Sequence, residues 1–108
     1  MNTNVDRVLD ALGDATRRRI FGRLKQGGRS VGELADGLDV TRSAVSQHLR
    51  VLRTARLVTA RADGTRRIYT VDKHGVAAVR DWLDGFWDET LDAFKAAAER
   101  QARNEEGS

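Results

Sequence analysis

Residues 41–54 read TRSAVSQHLRVLRT and have the pattern of an amphipathic helix. At about 100° of rotation per residue, Val45, Leu49 and Leu52 fall on one side and form an apolar stripe. The opposite face is polar and basic, and the whole stretch contains no Asp or Glu. Because an ordinary solvated helix usually carries both signs of charge, we predict that this face contacts a polyanion.

The polar face of this helix has the chemistry that DNA recognition requires. A glutamine can pair with adenine, an arginine with guanine, and serines can bond to bases or phosphate. His48 lies at the edge of the buried side, where we expect a boundary hydrogen bond or a phosphate contact. The predicted DNA-binding residues are therefore Arg42, Ser43, Ser46, Gln47, His48 and Arg50. The alternative is a solvated face of the kind that any amphipathic helix has.

Two helices are predicted in the first 28 residues. Apolar residues at positions 5, 8, 9 and 12 follow the helical spacing, and Asp14 can cap a second helix that ends at Gly27-Gly28. Arg17, Arg18 and Arg19 lie near the start of this second helix, where the helix dipole disfavours positive charge. They either touch phosphate or form a solvated face, and for Arg18 we favour the solvated face.

A third short helix completes a familiar arrangement. Ser30 and Glu33 form a capping-box signature, and the helix that they start runs to about Leu38. Thr41 is the predicted cap of the next helix, over residues 42–54. Two short helices are thus followed by a brief turn and by the basic helix over residues 42–54. This is the helix-turn-helix arrangement, in which the helix after the turn enters the DNA major groove.

A two-stranded hairpin is predicted next, over residues 57–62 and 65–71. Asp63-Gly64 between them is a type I′ turn signal, and a loop of these two residues would place Arg61 opposite Arg66. Like charges across a hairpin repel, and a row of DNA phosphates would relieve that repulsion. The predicted DNA-binding residues of this wing are Arg61, Thr65, Arg66 and Arg67. The alternative is arginine side chains that spread into water.

The last predicted helix begins after Asp72, its cap, and runs to about Arg103. It contains four of the six aromatic residues of the chain in a wide apolar stripe. Leaving both tryptophans in water would create an apolar patch larger than monomers tolerate, so we predict a two-fold dimer through the first and last helices. The predicted interface residues are Val5, Val8, Leu9, Trp82, Phe86, Trp87, Leu91 and Phe94. The alternative is an aromatic ligand pocket.

Together these motifs resemble the ArsR (arsenical-resistance repressor) family of winged-helix regulators over about residues 5–95. The resemblance is carried by the segments Leu12–Arg17, Val31–Ala35, Ser43–Leu52, Ala55–Val58 and Arg67–Tyr69. It implies a homodimeric transcriptional regulator, usually a repressor, that binds a two-fold operator and is often released by an effector.

The sequence departs from the metal-sensing members of that family. Their third helix carries a Glu-Leu-Cys-x-Cys stretch, whereas Glu33-Leu34 is followed here by Ala35-Asp36-Gly37. The start of a second family metal site is matched by Asp72-Lys73-His74, but its later positions fall on Gly85 and Asp88. An acidic stripe at Asp84, Asp88 and Asp92 is interpreted as a solvated face rather than a calcium site. We therefore predict no metal and no cofactor, and place the chain in the Cys-free branch.

The charge of the chain divides sharply along its length. Residues 1–71 hold 14 Lys+Arg and 7 Asp+Glu, whereas residues 72–108 hold 5 and 9. With no Cys, two His and no phosphate-cradling glycine loop, the sequence does not support an enzyme. The chain of 108 residues shows neither a long apolar run nor a signal peptide, so we expect a cytoplasmic protein without a membrane partner.

These observations predict a mainly α fold with a small β-hairpin, a homodimeric winged helix-turn-helix. Residues 1–100 are expected to form the DNA-binding domain with its dimerisation helix, and residues 101–108 a disordered tail. The predicted partners are double-stranded operator DNA and a second copy of the chain. An effector is not identified, and two alternatives stay open: a regulator that senses a small non-metal ligand, and a winged helix that binds protein.

Overall fold

The computed structural model describes residues 3–106 as five α-helices and one antiparallel hairpin. The elements are α1 Thr3–Leu12, α2 Ala15–Arg23, α3 Val31–Asp36, α4 Arg42–Thr54, β1 Val58–Asp63, β2 Arg66–Val71 and α5 Lys73–Glu106. A 3₁₀ turn, Leu24–Gln26, continues α2. The mainly α fold with a small hairpin is confirmed, although α3 ends two residues earlier than predicted.

The predicted helix caps are confirmed by their hydrogen bonds. Asp14 accepts from the backbone N–H of Arg17 at 2.9 Å, and Thr41 accepts from that of Ala44 at 3.1 Å. Ser30 and Glu33 form the complete capping box, each side chain accepting from the backbone N–H of the other residue. Each cap satisfies a backbone donor that would otherwise lack a partner, which fixes where α2, α3 and α4 begin.

The core lies between the first four helices and the base of the hairpin. The predicted stripe Val45, Leu49 and Leu52 is at most 1% exposed, so α4 packs its apolar side inward as expected. The largest fully buried side chains are Val8, Ile20, Leu34, Val45, Leu49, Leu52, Leu57 and Val58. Burial of α4 on this side leaves its polar face in solvent.

The loop of the hairpin lies one residue later than predicted, which shifts the strand pairing by two residues. Asp63 pairs with Arg66, and Arg61 pairs with Ile68, so Arg61 does not face Arg66. The loop is Gly64-Thr65 rather than Asp63-Gly64. Gly64 has a φ of +64°, which fits the need of a two-residue hairpin loop for glycine at a left-handed position. The predicted repulsion between Arg61 and Arg66 was therefore wrong.

The hairpin is fastened to the loop that precedes α3. Arg29 and Tyr69 exchange backbone hydrogen bonds of 3.0 and 2.8 Å. A Cβ at Gly28 would lie 2.5 Å from the side chain of Ile68, so the absence of a side chain at Gly28 permits this close approach. The wing is thereby held beside the helix-turn-helix.

The start of α5 packs against the end of α4. The N–H of Gly75 donates to the carbonyl oxygen of Arg56 at 2.8 Å, and Asp72 caps α5 by accepting from the N–H of His74. Arg56 has a φ of +60° and lies just after α4, where the N–H of Leu57 bonds to the carbonyl of Leu52 in a Schellman motif. These contacts set the direction in which α5 leaves the domain.

α5 is longer than predicted at its carboxyl end. It continues through Glu106, whereas a disordered tail over residues 101–108 is expected from the sequence. Gln, Ala, Arg and Glu are good helix formers, which explains the continuation. Residues 107 and 108 lie outside the described residues.

Within residues 3–106, no helix is long and apolar enough to cross a membrane.

Candidate nucleic-acid interface

The outer face of α4 presents the predicted side chains to solvent. Arg42, Ser43, Ser46, Gln47 and Arg50 are all exposed, and His48 is half-buried. Because the apolar stripe of α4 is fixed in the core, this face cannot turn inward without unfolding the helix-turn-helix. The structure therefore offers a rigid polar helix surface of the size that a major groove admits.

His48 lies toward the protein rather than on the outermost line of this face. The pKa of Asp14 is lowered from its ordinary value of 3.8, chiefly by the hydrogen bond from the backbone N–H of Arg17. A smaller contribution comes from the positive charge of Arg17. His48 itself is half-buried, at the inward edge of the polar face of α4. The expected boundary position of His48 is confirmed, and its contact with DNA stays a prediction.

The wing places all four of its predicted residues in solvent: Arg61, Thr65, Arg66 and Arg67 are exposed. The Nη1 atom of Arg66 lies 3.7 Å from Oε1 of Glu33, so the wing also meets the start of α3 through an ion pair. Glu33 was predicted as a capping residue and not as a neighbour of the wing. The two residues are 33 positions apart in the sequence, which explains why no local pattern indicates the contact.

A cavity of about 360 Å³ opens between α3, the start of α4 and the wing, and we call it the arginine notch. The guanidinium of Arg42 enters it beside Gly32, where an added Cβ would lie 3.1 Å from Nη2. Its lining residues are Ser30, Val31, Gly32, Glu33, Asp36, Arg42, Arg66 and Arg67. Three predicted DNA-binding arginines from two separate elements thus surround one opening.

A second cleft separates the middle of α4 from the wing. Its lining includes Ser46, Arg50, Arg53 and Arg67, with Tyr69 at its base. Arg53 was not among the residues predicted to bind DNA, although its spacing three residues after Arg50 places it on a neighbouring part of the helix surface. Arginines of both elements line this cleft, so the basic surface extends without interruption from α4 to the wing.

Arg17 and Arg18 have a structural role that was not predicted. The Nε and Nη2 atoms of Arg17 donate to the carbonyl oxygens of Ala11 and Asp10 at 2.7 and 3.2 Å. Nη1 of Arg18 donates to the carbonyl oxygen of Leu12 at 2.7 Å. These positive charges lie at the start of α2, but they satisfy the carboxyl end of α1, where the dipole favours them.

The surface of α5 carries a second, apolar candidate site. Trp82, Phe86, Trp87, Leu91 and Phe94 are between 47% and 74% exposed, and Leu9 of α1 is 48% exposed. The rings of Trp82 and Phe86 stack with centroids 6.1 Å apart, and Phe86 meets Trp87 edge to face at 6.0 Å. This row is the apolar patch that was predicted for dimer formation.

Two of the predicted interface residues are not available for such a role. Val5 and Val8 are 3% and 1% exposed within a single chain, because both face the core of their own domain. The helical spacing identified the apolar side of α1 but not what covers it. Only Leu9 of the three residues predicted on α1 is free to gain burial in a dimer.

A basic helix-turn-helix joined to a basic hairpin defines the class of winged helix-turn-helix DNA-binding proteins. Residues 12–61 match the family model described as a helix-turn-helix domain. The chain is 55% identical over 89 residues to the HTH-type transcriptional regulator Rv2034 of Mycobacterium tuberculosis, a match that covers 82% of this chain and 83% of the relative. It is 26% identical over 82 residues to the transcriptional repressor SdpR of Bacillus subtilis, covering 76% and 91% of the two chains.

A solved structure shows the same architecture. The homodimeric winged helix-turn-helix DNA-binding domain of Mb0332 from Mycobacterium bovis, a possible ArsR-family transcriptional regulator, superimposes with a TM-score of 0.64. It is 32% identical, and the match covers 83% of each chain. The chain belongs to the ArsR family of winged helix-turn-helix transcriptional regulators, whose members bind DNA and form homodimers.

Proposed function

We propose that this regulator is a repressor that binds an inverted-repeat operator as a homodimer. The observation that carries the proposal is the continuous basic surface from α4 to the wing, which faces away from the apolar core. In the cytoplasm, occupancy of a promoter by such a dimer would block transcription. The relationship to a named repressor supports this direction of regulation.

The proposed division of labour follows from position. The exposed residues on the outer face of α4 read base edges in the major groove: Ser43, Ser46, Gln47 and Arg50. Arg42 lies at the start of that face, and His48 lies at its edge. Arg61, Thr65, Arg66 and Arg67 of the wing hold the phosphate backbone. A dimer of this kind places its two recognition helices in successive major grooves about 34 Å apart.

The proposed dimer uses the exposed row on α5 together with Leu9. An exposed row of two tryptophans, two phenylalanines and a leucine costs free energy in water, and burial against its symmetry mate removes that cost. Residues 1–100 would then contain both the DNA-binding surface and most of the dimer surface. The proposal includes no catalytic step and no bound metal.

Selection from a random DNA library tests the proposal, with gel shifts on the enriched sequence. Gln47→Ala should weaken binding by about 1–3 kcal/mol and broaden the base preference at one position of each half-site. Arg66→Ala should weaken binding to all sequences and reduce the dependence of affinity on salt. A library with no enriched sequence, or an affinity that does not change with salt, would refute the proposal.

The direction of regulation has its own test. A reporter gene placed behind the selected operator should be expressed less when the wild-type chain is present than when the Gln47→Ala variant is present. Higher expression with the wild-type chain would show an activator and overturn the repressor assignment, while leaving sequence-specific DNA binding intact.

A further inference from the structure

Glu33 is an acid placed among the arginines of the proposed DNA-binding surface. Its carboxylate accepts a hydrogen bond from the N–H of Ser30 at 3.1 Å and lies 3.7 Å from Nη1 of Arg66. The capping box holds this carboxylate in one place at the start of α3, where it faces the arginine notch. A negative charge in this position opposes the approach of DNA.

We propose that the arginine notch binds one phosphodiester group of the DNA backbone, and that the Glu33 carboxylate takes the place of that group in the free protein. The inference rests on the proposed function, because it names the contact made by one part of the DNA-binding surface. It gives Glu33 a second role beside its capping role: it limits the affinity of the wing for DNA.

The notch has the composition that a phosphodiester requires. Arg42 reaches it from α4, and Arg66 and Arg67 reach it from the wing. Arginine matches phosphate oxygens with two parallel N–H donors, and the three guanidinium groups outnumber the two carboxylates, Glu33 and Asp36, that line the notch. The bare backbone at Gly32 leaves the room in which the Arg42 guanidinium lies.

The contact between Glu33 and Arg66 is suited to exchange. The two side chains are 46% and 58% exposed, and a pair at this exposure contributes little to stability. Glu33 remains ionised at neutral pH, because the hydrogen bonds from Ser30 and then the positive charge of Arg66 hold its pKa below the ordinary value of 4.5. A phosphate can therefore replace the carboxylate as the partner of Arg66 at small cost, but the carboxylate, held by the capping box, stays nearby and repels the phosphate.

The variant Glu33→Gln separates the two roles of this residue. Glutamine preserves the capping box, since it serves at the same position as glutamate, but it removes the negative charge. We expect unchanged folding by circular dichroism and an affinity for all DNA sequences about threefold higher per protomer at low salt, as for the loss of one weak surface repulsion. The gain should fade as salt rises, because salt screens exposed charges.

Asp39→Asn is the matched control. Asp39 is exposed, follows α3 and does not line the notch, so its replacement changes the net charge by the same amount without altering this site. We expect its effect on DNA affinity to be clearly smaller than that of Glu33→Gln. Equal gains from both variants would show a general charge effect and overturn the notch.

A double variant identifies the partner of Glu33. In the background of Arg66→Ala, the gain from Glu33→Gln should shrink, since the arginine for which the Glu33 carboxylate and the phosphate compete is gone. A scan of the operator with single neutral methylphosphonate links should find one link per half-site that weakens wild-type binding and removes the Glu33→Gln gain. An undiminished gain in either experiment would overturn the proposal.

Failure of this inference is distinguishable from failure of the proposed function. If the wild-type chain selects a DNA sequence with salt-dependent affinity but Glu33→Gln binds no tighter than Asp39→Asn, only the notch is refuted. If the wild-type chain selects no sequence, the proposed function is refuted as well.

Discussion

The guanidinium of Arg17 closes the carboxyl end of α1, with its Nε atom 2.7 Å from the carbonyl oxygen of Ala11. A second hydrogen bond reaches the carbonyl oxygen of Asp10 at 3.2 Å. Arg17 also donates its backbone N–H to Asp14, so one residue joins the end of α1 to the cap of α2. The turn between the two helices is therefore held from both sides.

Replacing Arg17 by alanine should lower the free energy of unfolding by about 1–3 kcal/mol, because two charge-assisted hydrogen bonds are lost, of which the one to Ala11 is half-buried. Urea denaturation at fixed protein concentration measures this change. Arg19→Ala, at an exposed position of the same helix, should change stability by no more than about 0.5 kcal/mol. Equal losses in the two variants would contradict the role of Arg17.

Replacing Gly75 by alanine should destabilise the domain by about 1–3 kcal/mol, since the added Cβ meets backbone that cannot move cheaply. It would lie 2.7 Å from the carbonyl oxygen of Ala55 and 2.8 Å from that of Arg56. Gly85→Ala in the same helix meets nothing within 4 Å and should stabilise by up to about 1 kcal/mol through helix propensity. Thermal unfolding of the two variants should shift in opposite directions.

Replacing Arg56 by glycine should stabilise the chain by roughly 0.5–1 kcal/mol, because glycine adopts the left-handed backbone of this position without steric cost. The control Arg53→Gly lies inside α4 and should destabilise by about 1 kcal/mol. Chemical denaturation of both variants measures the difference. A loss of stability in Arg56→Gly as large as that in Arg53→Gly would rule out strain at residue 56.

Replacing Phe94 by aspartate should convert the proposed dimer into a folded monomer. Phe94 is 74% exposed in a single chain, so the change does not disturb the core of the domain. Sedimentation gives the mass, and circular dichroism checks the helix content. Asp92→Ala, two residues away on the acidic side of α5, should remain dimeric. A dimeric Phe94→Asp variant would place the interface elsewhere.

The cap at Asp14 predicts a dependence of stability on pH. The hydrogen bond from the N–H of Arg17 lowers the pKa of Asp14 below 3.8 in the folded state. The cap therefore stabilises the fold above pH 3.8, the pKa in the unfolded chain, and this stabilisation is lost as the pH falls through the lower pKa of the folded state. Asp14→Asn keeps a capping side chain but does not titrate. Between pH 6 and pH 3, the melting temperature of the wild type should fall further than that of the variant; parallel curves would contradict the assignment.

Local patterns predicted the helices well and the long-range contacts poorly. The stripe of Val45, Leu49 and Leu52 and the cap residues depend on neighbours within one turn, so the sequence alone indicates them. The burial of Val5 and Val8 depends on which surface meets α1, and periodicity does not determine this. For the same reason, Leu9 and the α5 row were recognised as apolar, but the partner that covers them stays a prediction.

In the candidate site, too, the features set by local sequence were predicted and those set by long-range contacts were not. The basic outer face of α4 follows from its own periodicity, whereas the arginine notch combines residues of α3, α4 and the wing. The hairpin register was wrong because Asp63-Gly64 matches a common turn signal, and the strand pairing extended to Asp63 instead. The capping role of Arg17 was not predicted, because its side chain binds the end of a different helix from the one that contains it.

The backbone bonds between Arg29 and Tyr69 have a thermodynamic consequence. A two-stranded hairpin alone is at best marginally stable in water and would sample many orientations. Here the loop before α3 restricts the wing during folding, so that conformational entropy is lost before any ligand arrives. Whatever the wing binds therefore meets a pre-organised surface, and less of the interaction energy is consumed in ordering it.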